Sequence, residues 1–193
     1  MPEGAGVNHD PADRADELLE LAETAAKQLV EGLVSFGLLA GESAEPARLI
    51  VREQSRHLFL FVILSVLLEN SPGPDHPARL TAESLKEKFS RQLVAARKTL
   101  KAVSQKNLPR SESMELAKKL DDAARQDPFA PYYGSFEKMA KNPDHGPFSI
   151  LAGRLSGAHF ESPRREDAYA RIFTLSAALS DGLIARLDIG PEN

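Results

Sequence analysis

The residues best suited to chemistry in this chain are cations and amides at helical spacing within "SRQLVAARKTLKAVSQKNL", residues 90–108. At about 100° per residue, Arg91, Val94, Ala95, Lys98, Lys101, Ala102, Gln105 and Lys106 share one side of a helix. Leu93, Ala96, Leu100, Val103 and Asn107 share the other. Charged heads on long stems neutralise phosphates, glutamine amides pair with base edges, and alanines between them let a backbone approach a groove closely. On this reading Arg91, Lys98, Lys101 and Lys106 are phosphate contacts, Gln92 and Gln105 reach base edges, and Arg97 braces the backbone contact from the flank. No acidic residue lies between Arg91 and Arg110, whereas a merely solubilising face tends to mix Glu and Lys at four-residue spacing. A solvated face that pairs with acidic neighbours is the plainer alternative, and it stays open.

The surrounding charge sharpens the contrast. Residues 79–110 hold 9 basic and 2 acidic side chains, residues 1–46 hold 2 and 10, and the whole chain has a net charge of −4. An acidic total does not exclude a polyanionic partner, because the field that a partner meets is local. Screening over about 8 Å at physiological salt separates the basic stretch from the acidic one.

Other chemistries find little support. The five histidines are His9, His57, His76, His145 and His159. No two of them stand at metal-ligand spacing, and HExxH, the phosphate-cradling glycine loop and the GxSxG elbow are missing. The tripeptide "PDH" occurs at 74–76 and 143–145, in two proline-bearing loops where local turn chemistry accounts for both histidines. Without cysteine there is no disulfide, cysteine-based zinc site or cysteine nucleophile. The expectation is a protein that is not an enzyme, with no cofactor and no metal. The first twenty residues lack an apolar signal core, and with the missing cysteines this points to a cytoplasmic location.

These residues must be positioned by helices. A chain of 193 residues is long enough for one sizeable core. The run "LFLFVILSVLL", 58–68, has eleven residues, and a membrane span needs about 20, so it reads as a buried core helix with no membrane partner. Periodicity and punctuation predict helices at about 10–37, 46–70, 81–89, 91–106, 112–125, 133–141, 147–156 and 163–187. The fold class is all-α, a multi-helix bundle with at most a small hairpin. Residues 1–9 read as a flexible tail and 10–193 as a single domain. "FAPYYGSF" gathers Phe129, Tyr132, Tyr133 and Phe136, either as the lip of a ligand pocket or as ordinary packing.

Starting at Leu85, apolar residues follow at four, fifteen, eighteen and twenty-three positions on, as Phe89, Leu100, Val103 and Leu108, with Asn107 just before the last. That series resembles the helix-turn-helix of winged-helix transcription regulators over residues 58–108. In it, 58–69 would be the first helix, "LTAESLKEKF" the support helix and "SRQLVAARKTLKAVSQKNL" the recognition helix. Asn107 stands in a glycine place, which asparagine tolerates at a left-handed helix terminus. Ser90 and Arg91 occupy the turn, where the family has glycine and an apolar residue, and "SESMELAKKLDDAARQ" reads as helix where a wing would follow.

The resemblance implies a transcriptional regulator that binds double-stranded DNA as a homodimer, its recognition helices about one DNA turn apart. The last helix, 163–187, is more weakly similar to the dimerisation helix of TetR-type regulators. The competing class is a helical ligand-sensing, dimerisation or protein-interaction domain without DNA contact. A small-molecule effector is left unspecified.

Overall fold

The computed structural model describes residues 10–37, 44–107, 109–158 and 165–187. It contains α1 (Pro11–Ser35), α2 (Ala44–Glu69), α3 (Pro77–Asn107), α4 (Arg110–Ala124), α5 (Ser135–Lys141), α6 (Pro147–Ala158) and α7 (Arg165–Leu187). Single 3-10 turns at Ala130–Tyr132 and Pro143–His145 flank α5, and no strand occurs among the described residues. The all-α expectation therefore holds. The tail at 1–9, Leu108 and the helix start at Ser162–Pro163 lie outside the described residues.

Helix ends follow local chemistry. Asp10 Oδ1 accepts the Ala12 N–H at 3.0 Å with Pro11 behind it, a capped start to α1. Gly37 ends that helix at φ 65°, with its N–H donating to Val34 O at 2.9 Å. At the head of α3, His76 Nδ1 accepts from Ala78 N at 3.3 Å, and Asn142 Oδ1 accepts from Asp144 N at 3.0 Å. Both "PDH" loops are thus helix-entry turns.

The core is organised around α2. Every residue from Leu58 to Leu64 is buried, so this segment is apolar all round, as a helix must be when it is packed on all sides. Leu18, Ala22, Ala25, Leu29 and Leu33 of α1 close on it, as do Ala82, Leu85 and Phe89 of α3. Leu151 and Leu155 of α6 and Ile172, Leu179 and Leu183 of α7 complete the enclosure. Phe36, at the end of the apolar stripe of α1, is exposed instead.

The aromatic segment joins this core. Phe61 stacks on Tyr132 with centroids 5.5 Å apart and on Phe136 at 5.7 Å, while Phe129 meets Phe89 at 5.7 Å. Three of the four aromatics therefore pack inward, and Tyr133 stays exposed.

The break expected between residues 89 and 91 does not exist. α3 is one helix of 31 residues that runs through Ser90 and Arg91. No glycine or proline interrupts it after Pro77, and neither serine nor arginine stops a helix whose flanking turns are well packed or well formed. A helix-turn-helix unit with its turn at that point is accordingly corrected to a single long helix. α4 then folds back along its distal half, linked by the Lys101–Asp121 ion pair.

The enclosure of α2 predicts steep position dependence. Leu60→Ala should cost about 2–5 kcal/mol in urea unfolding. Leu68→Ala, on the rim at 36% exposure, should cost about 1 kcal/mol or less.

Candidate nucleic-acid interface

Among the described side chains of α3, Phe89 is the last that is buried. Beyond it the helix runs out with α4 as its main neighbour, so the two form an antiparallel arm. Ion pairing through Lys101 and Asp121 closes one side of the arm. That pair sits at the edge of a side of α3 that otherwise stays open, with Arg91, Val94, Ala95, Lys98, Ala102, Gln105 and Lys106 exposed. The side chains of Leu100 and Val103 lie outside the described residues.

Not all seven expected contact residues share that open side. Arg91, Lys98, Gln105 and Lys106 do. Arg91 is also tied to Glu87 one turn back on its own helix, an exposed pair of little energetic weight that can exchange for a phosphate. Lys101 is half-buried and faces α4 through Asp121, so it holds the arm together. Arg97 is half-buried as well and lines a cleft beneath the arm. Gln92 accepts a hydrogen bond from Arg56 Nη2 of α2, which holds it to the body of the protein. The sequence-based contact set thus divides into four residues on the open face and three that brace the arm.

That bracing belongs to a polar cluster where α1, α2 and α3 meet. Glu23 Oε1 accepts from Arg52 Nε at 2.6 Å, and Arg56 Nε lies 3.6 Å from Glu23 Oε2. The Arg56 guanidinium also sits over the Phe89 ring, 5.1 Å from its centroid. His57 meets the same ring edge-on at 5.5 Å, with its Nε2 3.5 Å from Glu53 Oε1. A cation stacked on the last buried ring of α3 and bonded to the next turn of that helix fixes the point where the arm leaves the core. Sequence periodicity could not reveal this, because the cluster draws its members from three helices. Only the clustering of Arg52, Glu53, Arg56 and His57 just before the apolar run hinted at it.

Acidic α1 also meets the basic stretch. Lys88 Nζ donates to Ala12 O at 2.8 Å and pairs with Asp16. Pairing with acidic neighbours therefore accounts for Lys88, Arg91 and Lys101, and the open face beyond residue 94 keeps Lys98 and Lys106 exposed.

A larger cleft of about 660 Å³ opens between α1 and α7, where Arg171 Cζ lies 3.2 Å from the Phe36 ring centroid. None of the expected contact residues lines it. Among the described residues, no group of three or more histidines and carboxylates is arranged to hold a metal ion, and no helix is long and apolar enough to cross a membrane. No family model, curated protein or solved structure matches the chain.

The polar cluster generates a pH prediction. The Glu53 carboxyl is held below its ordinary value of 4.5, chiefly by the polar contact with His57, with Arg56 and Arg52 adding to it against the opposing effect of burial. A carboxyl with a depressed folded-state pKa contributes stability above its unfolded value and loses it as pH falls through the folded value. Glu53→Gln should therefore lower the urea midpoint at pH 7. It should also flatten the decline of that midpoint below about pH 4.5.

Proposed function

We propose that this protein is a DNA-binding transcriptional regulator whose α3–α4 arm lies against duplex DNA, with the open face of α3 toward the major groove. The observation that carries this reading is the composition of that face. Arg91, Lys98, Gln105 and Lys106 project beside Ala95 and Ala102 on one unbroken helix, and no carboxylate lies between 91 and 110. Sixteen residues of helix span about 24 Å, enough to cross a major groove about 12 Å wide. Docking of this kind needs no turn within the helix. Continuous basic helices that cross the groove are an established geometry beside the helix-turn-helix.

The test is a fluorescence-anisotropy titration of the full chain into a random-sequence duplex at two salt concentrations. Binding should weaken with salt, and Lys98→Glu/Lys106→Glu should abolish it. Lys98→Ala alone should shallow the salt slope by about one unit across all sequences. Gln105→Ala should alter sequence preference more than overall affinity. Lys101→Ala should have the smaller effect on DNA and the larger on arm stability, since its ammonium is engaged by Asp121. Failure to bind at low salt would leave the second reading, an interaction module without DNA contact, which the exposure of Val94 and Met114 on the arm favours.

Action as a homodimer forms part of the proposal. On α7, Phe173, Ala177, Ser180 and Ile184 recur at a single-face spacing, with the two large residues exposed and the two small ones half-buried. Small residues flanked by large apolar ones permit close antiparallel helix pairing between two copies. Light scattering should give twice the chain mass for the parent and the monomer mass for Phe173→Glu/Ile184→Glu. A parent that is monomeric at tens of micromolar would remove the dimer from this reading.

A further inference from the structure

We propose that the cleft at the root of the arm binds a small amphipathic organic anion, with an anionic head on an aromatic or branched apolar body. The cleft encloses about 460 Å³ between the middle of α3 and the connector that follows α4. That volume suits a single small molecule, and sites of this kind combine an apolar lining with a few placed polar groups.

The chemistry of the walls selects the ligand class. Half-buried Leu93 and exposed Val94 and Tyr133 supply apolar surface, backed by Phe129, which is buried against Phe89. Three cations line the same cleft, Lys86 and Arg97 from α3 and Arg125 from beyond α4. Among the described residues, Lys86 and Arg125 take part in no ion pair. The single carboxylate in the lining, Asp127, offsets only one of these three charges. Asp127 Oδ1 accepts the Phe129 N–H at 2.9 Å, and Oδ2 accepts the Tyr133 hydroxyl, so this side chain is occupied in shaping the connector. That hydrogen bond pushes the Tyr133 phenol up to about 12, so it remains a protonated donor at neutral pH. The field in the cleft is therefore positive over an aromatic floor.

A bare phosphate would satisfy the cations and leave the exposed Tyr133 ring and Val94 side chain of the lining uncovered. A neutral aromatic would do the reverse. Only a molecule with both parts uses both walls. The cleft borders the open face of α3 at Val94, whereas Lys86 and Arg125 lie off that face. Substitution of Lys86 and Arg125 therefore tests this cleft without altering Arg91, Lys98, Gln105 or Lys106.

The probe is 1-anilinonaphthalene-8-sulfonate, titrated into the full chain by fluorescence, with uncharged N-phenyl-1-naphthylamine alongside. The expected result is one saturable site per chain, weakened about tenfold in Lys86→Ala/Arg125→Ala and weakened by added salt for the sulfonate only. Both substitutions are at exposed positions, and matching melting curves for parent and variant secure the comparison. Arg171→Ala, in the cleft between α1 and α7, should leave the affinity within twofold. Unsaturable binding, a variant indistinguishable from the parent, equal affinity for the uncharged probe, or a loss seen in Arg171→Ala instead would each overturn the proposal.

Discussion

Seven consecutive residues of α2, Leu58 to Leu64, are buried with no polar side chain among them, and the whole architecture answers to that constraint. A helix with an apolar surface in every direction cannot sit on the outside of a bundle, and burial of each large side chain contributes about 1.5–3 kcal/mol. α1, α3, α6 and α7 each present one apolar stripe to it. The aromatic connector fills the remaining gap through the stacking of Tyr132 and Phe136 on Phe61. Because α2 needs only the first half of α3 to cover it, the second half is left to other uses.

Charge is distributed along the same division. The acidic face of α1 receives Lys88 where α3 is still part of the body. Arg56 and Glu23 hold the exit point, and beyond it the cations of α3 face either α4 or open space. Opposite charges thus meet where the elements are packed, and an excess of positive charge accumulates where α3 leaves the core.

Much of this was legible beforehand because it rests on local rules. The all-round apolar run, the Asp10–Pro11 start and the loop ending in His76 and Pro77 depend on neighbours in sequence, and the helices at those places agree with expectation. The core roles of Leu85 and Phe89 were equally readable from spacing. The turn at 90–91 was not, for a geometric reason. Offsets of four, fifteen and eighteen residues from Leu85 fall within about 60° of one another on a single helix at 100° per residue. A helical hairpin and an unbroken helix therefore share most of the same apolar signature, and the absence of glycine at Ser90 was the better guide. Gln92 and Lys101 have partners, Arg56 and Asp121, that come from other helices and that spacing along α3 does not show. Residues that a wheel places near the edge of a face are decided by what packs beside them.

The unbroken course of α3 has a mechanical consequence. From Phe89, the last buried ring, eighteen residues lead to Asn107, a distance of about 27 Å at 1.5 Å per residue. A rigid rod of that length is a lever with its fulcrum at the stacked Arg56–Phe89 pair. Rotation by about 5° at the fulcrum carries the tip by roughly 2 Å, a displacement the size of a lost hydrogen bond. A turn at Ser90 would have absorbed such a rotation, whereas a continuous helix transmits it from the core to the far end of the arm.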